Sequence, residues 1–361
     1  MHATPNSAAA TSVAIDLARD VFELVFADTE HRVVERKRLS RAAFARVLVN
    51  RPPLRVIMEA CGSAHFWARR FVALGHQVTL LPAHQVRPYV LRRKTDRTDA
   101  DGLLEAMRCA QLRPVPAKTP LQQGVQALHR IREQHKAQRT ATINLIRGLL
   151  REFGIVIPPG ATRVRPSVLA ALEDADNELP AALRHALAGL LAQIGQLEQA
   201  MAGIEAALAE FAARDLRSQR LQQVGGIGLI TATALSASVG EVDRFASGRQ
   251  FASYLGLTPR EHSSGSTRKL GRITKRGDTY LRMLLIHGAR AALRAARVAN
   301  AKGTELDATR RWALALAERV GHNKAAVALA NKTARRLWAA EHHRTAFDPN
   351  HVSVQPAPAS H

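Results

Sequence analysis

The stretch SVAIDLARDVFELVFADTEHRVVERKR, residues 12–38, decides the fold of the N-terminal part of this chain. Its first seven residues, SVAIDLA, are an apolar run that predicts a buried strand. Residues 21–27 and 31–38 then alternate apolar with polar or charged side chains, which is typical of half-buried strands. Three such strands in succession predict a meander.

The residues after this meander add helices and two further strands. Ser40 is placed to cap a short helix over residues 41–50. Residues 54–58 (LRVIM) predict a strand, residues 64–74 a helix and residues 77–81 a fifth strand. The order βββαβαβ predicts an α/β domain in which helices cover a central sheet.

The middle of the chain is predicted to be helical. Residues 121–153 form a helix rich in Arg, Lys and Gln, and a second long helix covers residues 183–211. Nine apolar residues of the second helix follow at alternating spacings of four and three, the heptad pattern of a coiled coil. They are Leu183, Leu187, Leu190, Ile194, Leu197, Met201, Ile204, Leu208 and Phe211. We expect this seam to pair with a second chain, the alternative being a long helix packed on its own domain.

These patterns divide the chain of 361 residues into a predicted order of five parts. They are a disordered leader (1–11), an α/β domain (12–118), a helical and coiled-coil region (119–215), a mainly α-helical C-terminal domain (216–340) and a disordered tail (341–361).

The chain is strongly basic, with 52 Lys and Arg against 30 Asp and Glu, a net charge of +22. Such a charge calls for a polyanion, and nucleic acid is the default partner. No apolar run approaches the ~20 residues of a membrane-spanning helix, and the N-terminus lacks signal-peptide features. Cys61 and Cys109 are too few and too far apart for a disulfide framework. We therefore expect a cytoplasmic protein without a membrane partner.

Carboxylates stand where an α/β domain places its sites. Asp16 ends the apolar run VAID and Glu59 ends VIME, and the carboxyl ends of strands are where such folds bind ligands. Asp96 and Asp99 are three residues apart and share a face if helical. Singly, each is more often a solvated strand end, or in the case of Asp99 a helix N-terminal charge.

Together the four acids fit two-metal phosphodiester chemistry. Mg²⁺ prefers oxygen ligands, and two ions ~3.5–4 Å apart stabilise the attacking and leaving oxygens of a displacement at phosphorus. Mn²⁺ could take the same place. Neighbouring bases, namely Arg93, Lys94 and Arg97, could hold the phosphate. The order Asp, Glu, Asp, Asp after a three-strand meander is the ribonuclease-H-like arrangement.

A second candidate site is the segment HSSGS, residues 262–266. The window 260–282 holds seven basic residues against two acidic ones. Composition alone suits a surface turn of a DNA-binding domain, whereas the functional alternative is a serine nucleophile, Ser264, whose target phosphate is held by guanidinium groups. The candidate nucleic-acid contacts are Arg268, Lys269, Arg272, Lys275, Arg276 and Arg282.

The turn VGGIG, residues 224–228, precedes an apolar helix and is similar to a helix–hairpin–helix element. Such a turn lets backbone N–H groups approach a phosphate, so Gly226 and Gly228 are candidate contacts, although glycines also simply turn chains. No GxxxxGK[ST] motif occurs, which argues against a P-loop ATPase.

These motifs carry a family resemblance. The segments VAIDLARDVFELV, VIMEACGSAHFWARRF and RRKTDRTDADGLLEA resemble the three acidic motifs of insertion-sequence transposases with a RuvC-like DEDD domain. The segments LQQVGGIGLITATAL and FASYLGLTPREHSSGSTRKLGRITKRGDTYLR are similar to the serine-bearing C-terminal domain of that family. The likeness spans about residues 12–296, with every motif in order.

The resemblance implies a ribonuclease-H-like (RuvC-like) fold for the N-terminal domain. Asp16, Glu59, Asp96 and Asp99 match the four metal-binding acids, and Ser264 matches the nucleophilic serine. The family's members are recombinases guided by a structured non-coding bridge RNA. The implied partners are double-stranded DNA (element ends and target), the guide RNA and further copies of the chain, as a dimer or tetramer in which the RuvC-like domain of one protomer meets the serine domain of another. The implied location is the bacterial cytoplasm, at the nucleoid when bound to DNA.

The implied mechanism is strand exchange. Ser264 attacks a DNA phosphodiester with the help of Mg²⁺ on the acid cluster, and a strand hydroxyl then reverses the linkage without ATP. Three alternatives stay open at this point. They are a RuvC-like structure-selective DNA endonuclease that does not need Ser264, a non-catalytic DNA- or RNA-binding protein, and a sugar-kinase-like or actin-like ATPase.

Overall fold

The computed structural model divides into two compact units, Met1–Leu121 and Gln122–His361. It describes residues 9–90, 96–109, 112–265, 267–345, 347–348 and 350, without the side chains of Asp96 and Arg97. Arg93, Lys94 and Ser266 lie outside the described residues, as do most of the expected leader and tail. The unit boundary lies close to the expected 118, but the predicted helical region and C-terminal domain form a single unit.

The first unit is built on a five-stranded sheet, as the sequence predicts. The strands are β1 (Ser12–Asp16), β2 (Val21–Ala27), β3 (Val33–Ser40), β4 (Arg55–Glu59) and β5 (Gln77–Leu81), in the order β3-β2-β1-β4-β5. The pairs β1–β2 and β2–β3 are antiparallel, whereas β4 runs parallel to both β1 and β5. The mixed α/β architecture is thereby confirmed.

Helices cover both faces of this sheet. They are α1 (Arg41–Phe44), α2 (Ala64–Ala73), α3 (Ala83–Val86) and α4 (Asp96–Ala106). On one face Phe22 stacks on Phe44 with ring centroids 4.1 Å apart, and Trp67 packs edge-on against both rings. On the other face α4 buries Leu103 in the cluster that contains Ala14 of β1. Burial on both faces explains why β1 is an unbroken apolar run.

The helix expected over residues 41–50 is shorter than the sequence suggests. Ser40 caps it as predicted, because the Ser40 hydroxyl accepts a hydrogen bond from the N–H of Ala43 at 3.5 Å. The helix ends at Phe44, and a series of turns continues to Asn50, where the backbone takes a positive φ of 61°.

The second unit is mainly helical. Its elements are α5 (Pro120–Glu152), α6 (Val164–Glu173), α7 (Ala181–Arg214), α8 (Leu216–Gln222), α9 (Leu229–Val239), α10 (Gly248–Tyr254), β6 (Pro259–Glu261), β7 (Leu270–Ile273), α11 (Thr279–Ala301), α12 (Ala308–Val320) and α13 (His322–His343). Within the described residues, no helix has the length and apolar character needed to cross a membrane.

The heptad seam of α7 packs inside this unit, with four of its nine residues buried and five half-buried. Leu187 and Ile194 pack in one cluster with Ile146 of α5, and Leu208 packs with Val125 near the other end of α5. The two helices are therefore antiparallel. The seam that we expected to pair with a second chain is thus covered by the chain's own helices, which is the alternative left open above.

Ion pairs hold the same two helices together along their middle. Arg132 lies 2.7 Å from Glu205, and Arg139 lies 3.3 Å from Glu198. The middle of α5 therefore contacts α7 through charged side chains instead of an apolar stripe.

Helix α13 continues into the segment expected to be a disordered tail. Glu341 lies in its last turn, and only 7% of its side chain is exposed. Its carboxylate pairs with Arg217 at 3.2 Å and with Arg220 at 2.9 Å. The tail boundary at 341 is therefore wrong by three residues, because two arginines of α8 hold the end of the helix.

A buried histidine connects three helices of this unit. His129 of α5 is 3% exposed and lies 3.0 Å from both the Tyr280 hydroxyl of α11 and the Thr233 hydroxyl of α9. Thr233 donates its own proton to the Leu229 carbonyl at 2.8 Å, so it accepts from His129 Nε2–H, and Tyr280 donates to Nδ1. This arrangement requires the neutral ring, and burial lowers the pKa of His129 to about 4.

Truncation of the seam should destabilise a single chain. Leu187→Ala removes a fully buried side chain and should lower the free energy of unfolding by about 3 kcal/mol. Gln196→Ala, an exposed position of α7, should change it by less than about 0.5 kcal/mol. Urea denaturation measures both. A loss at Leu187 that depends on protein concentration would contradict burial within one chain.

Stability should fall as the pH drops from 6.5 to 4. In that window the unfolded chain binds a proton at residue 129 and the folded chain does not, so the free energy of unfolding decreases by about 1.4 kcal/mol per pH unit. The His129→Gln variant should lose this contribution to the pH dependence of the unfolding free energy, which urea titrations at several pH values measure. The exposed-site variant His185→Gln should keep it. Equal slopes for wild type and His129→Gln would show that His129 is protonated in the fold.

Candidate functional site

Three of the four predicted acids converge at one edge of the N-terminal sheet. Parallel strands β1 and β4 pair Ile15 with Met58, so Asp16 and Glu59 follow directly on adjacent strands. Helix α4 packs against β1 and carries Asp99. The three carboxylates line a single cleft of about 580 Å³. The fourth acid, Asp96, begins α4, and its side chain lies outside the described part.

Sequence reasoning missed two further residues of this cleft. Cys61 and Arg87 also line it. Burial, followed by the charges of Glu59 and Asp16, raises the pKa of the Cys61 thiol to about 11. The thiol therefore lies within the field of both carboxylates. Its position two residues after Glu59 was the only signal in the sequence.

The donor chemistry of the cleft fits a hard divalent cation. Its carboxylate oxygens are the ligands that Mg²⁺ and Mn²⁺ prefer. Within the described side chains, however, no group of three His, Cys, Asp or Glu is drawn together closely enough to hold a metal ion. The acids therefore share a cleft, and a metal would have to draw them closer.

The predicted serine lies on an exposed hairpin of the second unit. Strands β6 and β7 pair in antiparallel fashion, and a turn from Ser264 to Thr267 closes them, with Gly265 at a positive φ of 56°. The Ser264 N–H donates to the Thr267 carbonyl at 3.2 Å, and the Thr267 N–H donates back at 3.1 Å. Ser264 therefore stands at the tip, fully accessible to a large substrate.

The neighbouring serine is engaged by the hairpin itself. The Ser263 hydroxyl donates to Glu261 at 2.8 Å and accepts from the Lys269 N–H at 3.2 Å. Among the described residues the Ser264 hydroxyl has no such partner. The hairpin thus distinguishes two serines that the sequence could not separate, while Ser266 lies outside the described part.

Most predicted basic contacts surround this hairpin and are exposed. They are Arg268, Lys269, Arg272, Lys275 and Arg276. Arg268 also lies 3.5 Å from Glu261. These five exposed cations give the hairpin a positive surface that runs from the turn of Ser264 to the base of the hairpin at Lys275 and Arg276.

Arg282 does not belong to that surface, contrary to the sequence-based prediction. It is 7% exposed, and its guanidinium donates to the carbonyls of Leu255 and Arg276 at 3.4 and 3.3 Å. These bonds tie the base of the hairpin to α10. Arg282 is a buried structural residue because the loop before α11 leaves carbonyl groups that need a donor.

The glycine turn of residues 224–228 packs directly on α11. Gly226 has φ +89°, and a Cβ there would lie 2.9 Å from the Gly288 carbonyl oxygen. A Cβ on Gly288 would lie 2.0 Å from the Gly226 oxygen. Two glycines are therefore needed for this backbone contact, which fixes the turn that begins α9.

The turn leaves backbone donors available to an anion. Gly225 and Gly228 are exposed, and Gly228 precedes the 11-residue helix α9 without a side-chain cap. Across the described chain, no hydrogen bond uses the N–H of Gly225, Gly226 or Gly228. Such groups at a helix N-terminus are suited to phosphate oxygens.

Gly288→Ala should therefore disrupt the turn. The added Cβ would overlap backbone, so we expect a loss of at least about 2 kcal/mol in unfolding free energy. Gly203→Ala is the matched control, because Gly203 lies inside α7 with open space at its Cβ and should gain up to about 1 kcal/mol. Thermal and urea unfolding compare the two. Similar effects of both variants would mean that the close contact is not required.

Comparison with known proteins matches two parts of the chain to families of transposases. Residues 13–155 match a family model described as a transposase, of the DEDD type, and residues 218–303 match the model of the transposase IS116/IS110/IS902 family. The first match contains the acid cleft, and the second contains the glycine turn and the serine hairpin.

Relatives match along almost the whole chain. A probable family 20 transposase of Pseudomonas aeruginosa is 43% identical, covering 93% of this chain and 98% of its own. The transposase for insertion sequence element IS1111A of Coxiella burnetii is 40% identical, covering 90% and 88% respectively. The transposase for insertion sequence element IS1328 of Yersinia enterocolitica is 35% identical, covering 93% and 98%. This is a DNA transposase, and it belongs to the IS110/IS116 family of insertion-sequence transposases.

Proposed function

We propose that this transposase cleaves and exchanges DNA strands by a divalent-metal-dependent reaction in which Ser264 is the nucleophile. The observation that carries the proposal is the convergence of Asp16, Glu59 and Asp99 on one cleft of the DEDD-type unit. Acids from two strands and a helix meet there, as phosphodiester chemistry requires.

The metal site would consist of Asp16, Glu59, Asp99 and Asp96. A bound Mg²⁺, or Mn²⁺ in its place, supplies charge stabilisation to the attacking and leaving oxygens of a phosphodiester. Asp16 and Glu59 are held by the sheet, whereas Asp99 is held by the packing of Ala100 and Leu103 of α4 against it. The Arg36–Asp101 ion pair, at 2.8 Å, adds a second anchor for this helix.

Ser264 would attack phosphorus directly. Its Oγ forms a bond to phosphorus as a strand oxygen leaves, and the hydroxyl proton passes to a base, for which His262 is the nearby candidate. The resulting serine–DNA ester is as rich in energy as the bond that was broken, so a strand hydroxyl can reverse it without ATP. Ser264 is favoured over Ser263 because the Ser263 hydroxyl is bound to Glu261 and to the Lys269 N–H, whereas the Ser264 hydroxyl has no such partner among the described residues.

Double-stranded DNA, a non-coding guide RNA and further copies of the chain are the proposed partners. The basic hairpin and the free N–H groups of Gly226 and Gly228 support backbone contacts that do not depend on sequence. Sequence choice could then lie in base pairing with the RNA. Steep loss of binding with rising salt follows from such contacts.

The decisive experiment uses the full chain purified with its RNA and a DNA substrate that carries the element ends. Ser264→Ala should abolish the covalent protein–DNA adduct and reduce strand exchange by at least about 1,000-fold, because the nucleophile is lost. Ser263→Ala is the matched control and should retain both. Denaturing gels and sequencing of the joined products measure the two outcomes.

Variants of the acid cleft test the metal chemistry separately. Asp16→Asn and Glu59→Gln should prevent exchange in Mg²⁺ or Mn²⁺ while leaving DNA binding in place. If Ser264→Ala retains full exchange, the serine proposal is wrong and simple metal-dependent cleavage is favoured. If ribonuclease treatment leaves exchange unchanged, the guide RNA is not required.

A further inference from the structure

A second cavity lies in the C-terminal unit, on the other side of the glycine turn from the start of α9. It has a volume of about 510 Å³ and is enclosed by α11, α12, α13 and the turn itself. Its walls on α11 carry nothing larger than alanine, because Ala291, Ala292, Ala295 and Ala296 all face it. The result is an apolar slot within the size range of small-ligand sites.

Positive charge is concentrated at the mouth of this slot. Lys332 and Arg336 are one turn apart on α13, and Arg310 of α12 joins them. The Lys332 ammonium lies 4.2 Å from the centroid of the Trp312 ring. Arg310 is balanced by Asp307 at 3.3 Å.

The ammonium of Lys332 is under electrostatic strain. Burial lowers its pKa, and the charges of Arg336 and Arg335 lower it further. An anion at this position would relieve that repulsion. The same mouth also borders Gly225 and Gly226, whose N–H groups have no partner among the described residues.

An apolar slot with a cationic mouth is complementary to a nucleotide, which carries an anionic phosphate and a base with apolar faces. We propose that the slot binds one unpaired DNA nucleotide, with its phosphate against Lys332 and the glycine turn and its base on the alanine wall. Because three helices enclose the slot on its sides, we expect only a base that has left its pair to reach the wall. A site for phosphate alone would need the cations but not the apolar wall, because phosphate has no apolar surface to bury. The inference rests on the chain being a DNA transposase and not on the metal or serine chemistry.

One exposed alanine of the slot can be enlarged without disturbing the core, and a second exposed alanine of the same helix serves as its control. Ala295→Leu places a larger side chain into the slot, while Ala301→Leu makes the same change at an exposed position of α11 outside it. Lys332→Gln removes the charge at the mouth, and Arg297→Gln is its control on the exposed face of α11. Equal melting temperatures for each pair show that folding is retained.

The test measures binding of full-length Ser264→Ala protein to DNA without divalent metal, so that failure of the catalytic proposal cannot affect it. The probe is a duplex with one unpaired 2-aminopurine, compared with the fully paired duplex. Protein with the wild-type residues at the slot should prefer the unpaired probe by about tenfold, because the base leaves water for the apolar wall. Emission from the base should change on binding.

Ala295→Leu and Lys332→Gln should each reduce this preference to about twofold or less, and both controls should retain it. Equal affinity for paired and unpaired probes, or a preference that survives Ala295→Leu, would overturn the proposal. An equal preference for the same bulge in RNA would show that the slot does not serve an unpaired DNA nucleotide.

Discussion

The parallel pairing of β1 with β4 is the constraint on which the N-terminal site depends. Because Ile15 pairs with Met58, each strand places an acidic residue at the same edge of the sheet, one strand apart. Two adjacent carboxylates repel each other, and a divalent cation between them would relieve that repulsion. The apolar residues before each acid are buried in the sheet, so the backbone beneath the site is held rigidly while the acids stay partly accessible.

The C-terminal unit depends on a different feature, which is the close backbone contacts that its glycines allow. Gly226 and Gly288 let a turn rest on α11, and a Cβ on Gly277 would lie 1.9 Å from the Tyr254 carbonyl oxygen at the base of the hairpin. These backbone contacts position the glycine turn and the serine hairpin without large side chains. Alanines on α11 extend the same principle and leave the slot open beside the turn.

The sequence predicted those features that a local pattern determines. The five strands, the Ser40 cap and the placement of Asp16 and Glu59 at strand ends all follow from periodicity within a few residues. The partner of the α7 seam does not, because a heptad pattern specifies an apolar stripe and not the helix that covers it. The sequence of the middle of α5 did not predict its packing on α7, because the two helices contact each other there through Arg132 and Arg139 and not through an apolar stripe. Arg282 was wrongly predicted to contact nucleic acid for a related reason. The sequence shows that a residue is basic, but it does not show that the residue is buried among carbonyl groups.

The net charge of +22 therefore overstates the surface available to nucleic acid. Several arginines bind other parts of the fold. Arg282 donates hydrogen bonds to carbonyl oxygens, and Arg217 forms an ion pair with Glu341. Other cations, such as Arg19 and Arg297, remain exposed, and five exposed cations lie close together in the sequence between Arg268 and Arg276, on the hairpin of Ser264 and the loop after it. A uniform basic coat would bind DNA anywhere on the protein. A local concentration of exposed cations on the segment that carries Ser264 instead favours contact of the DNA backbone near the hydroxyl proposed to attack it, so the distribution of charge carries information that its sum does not.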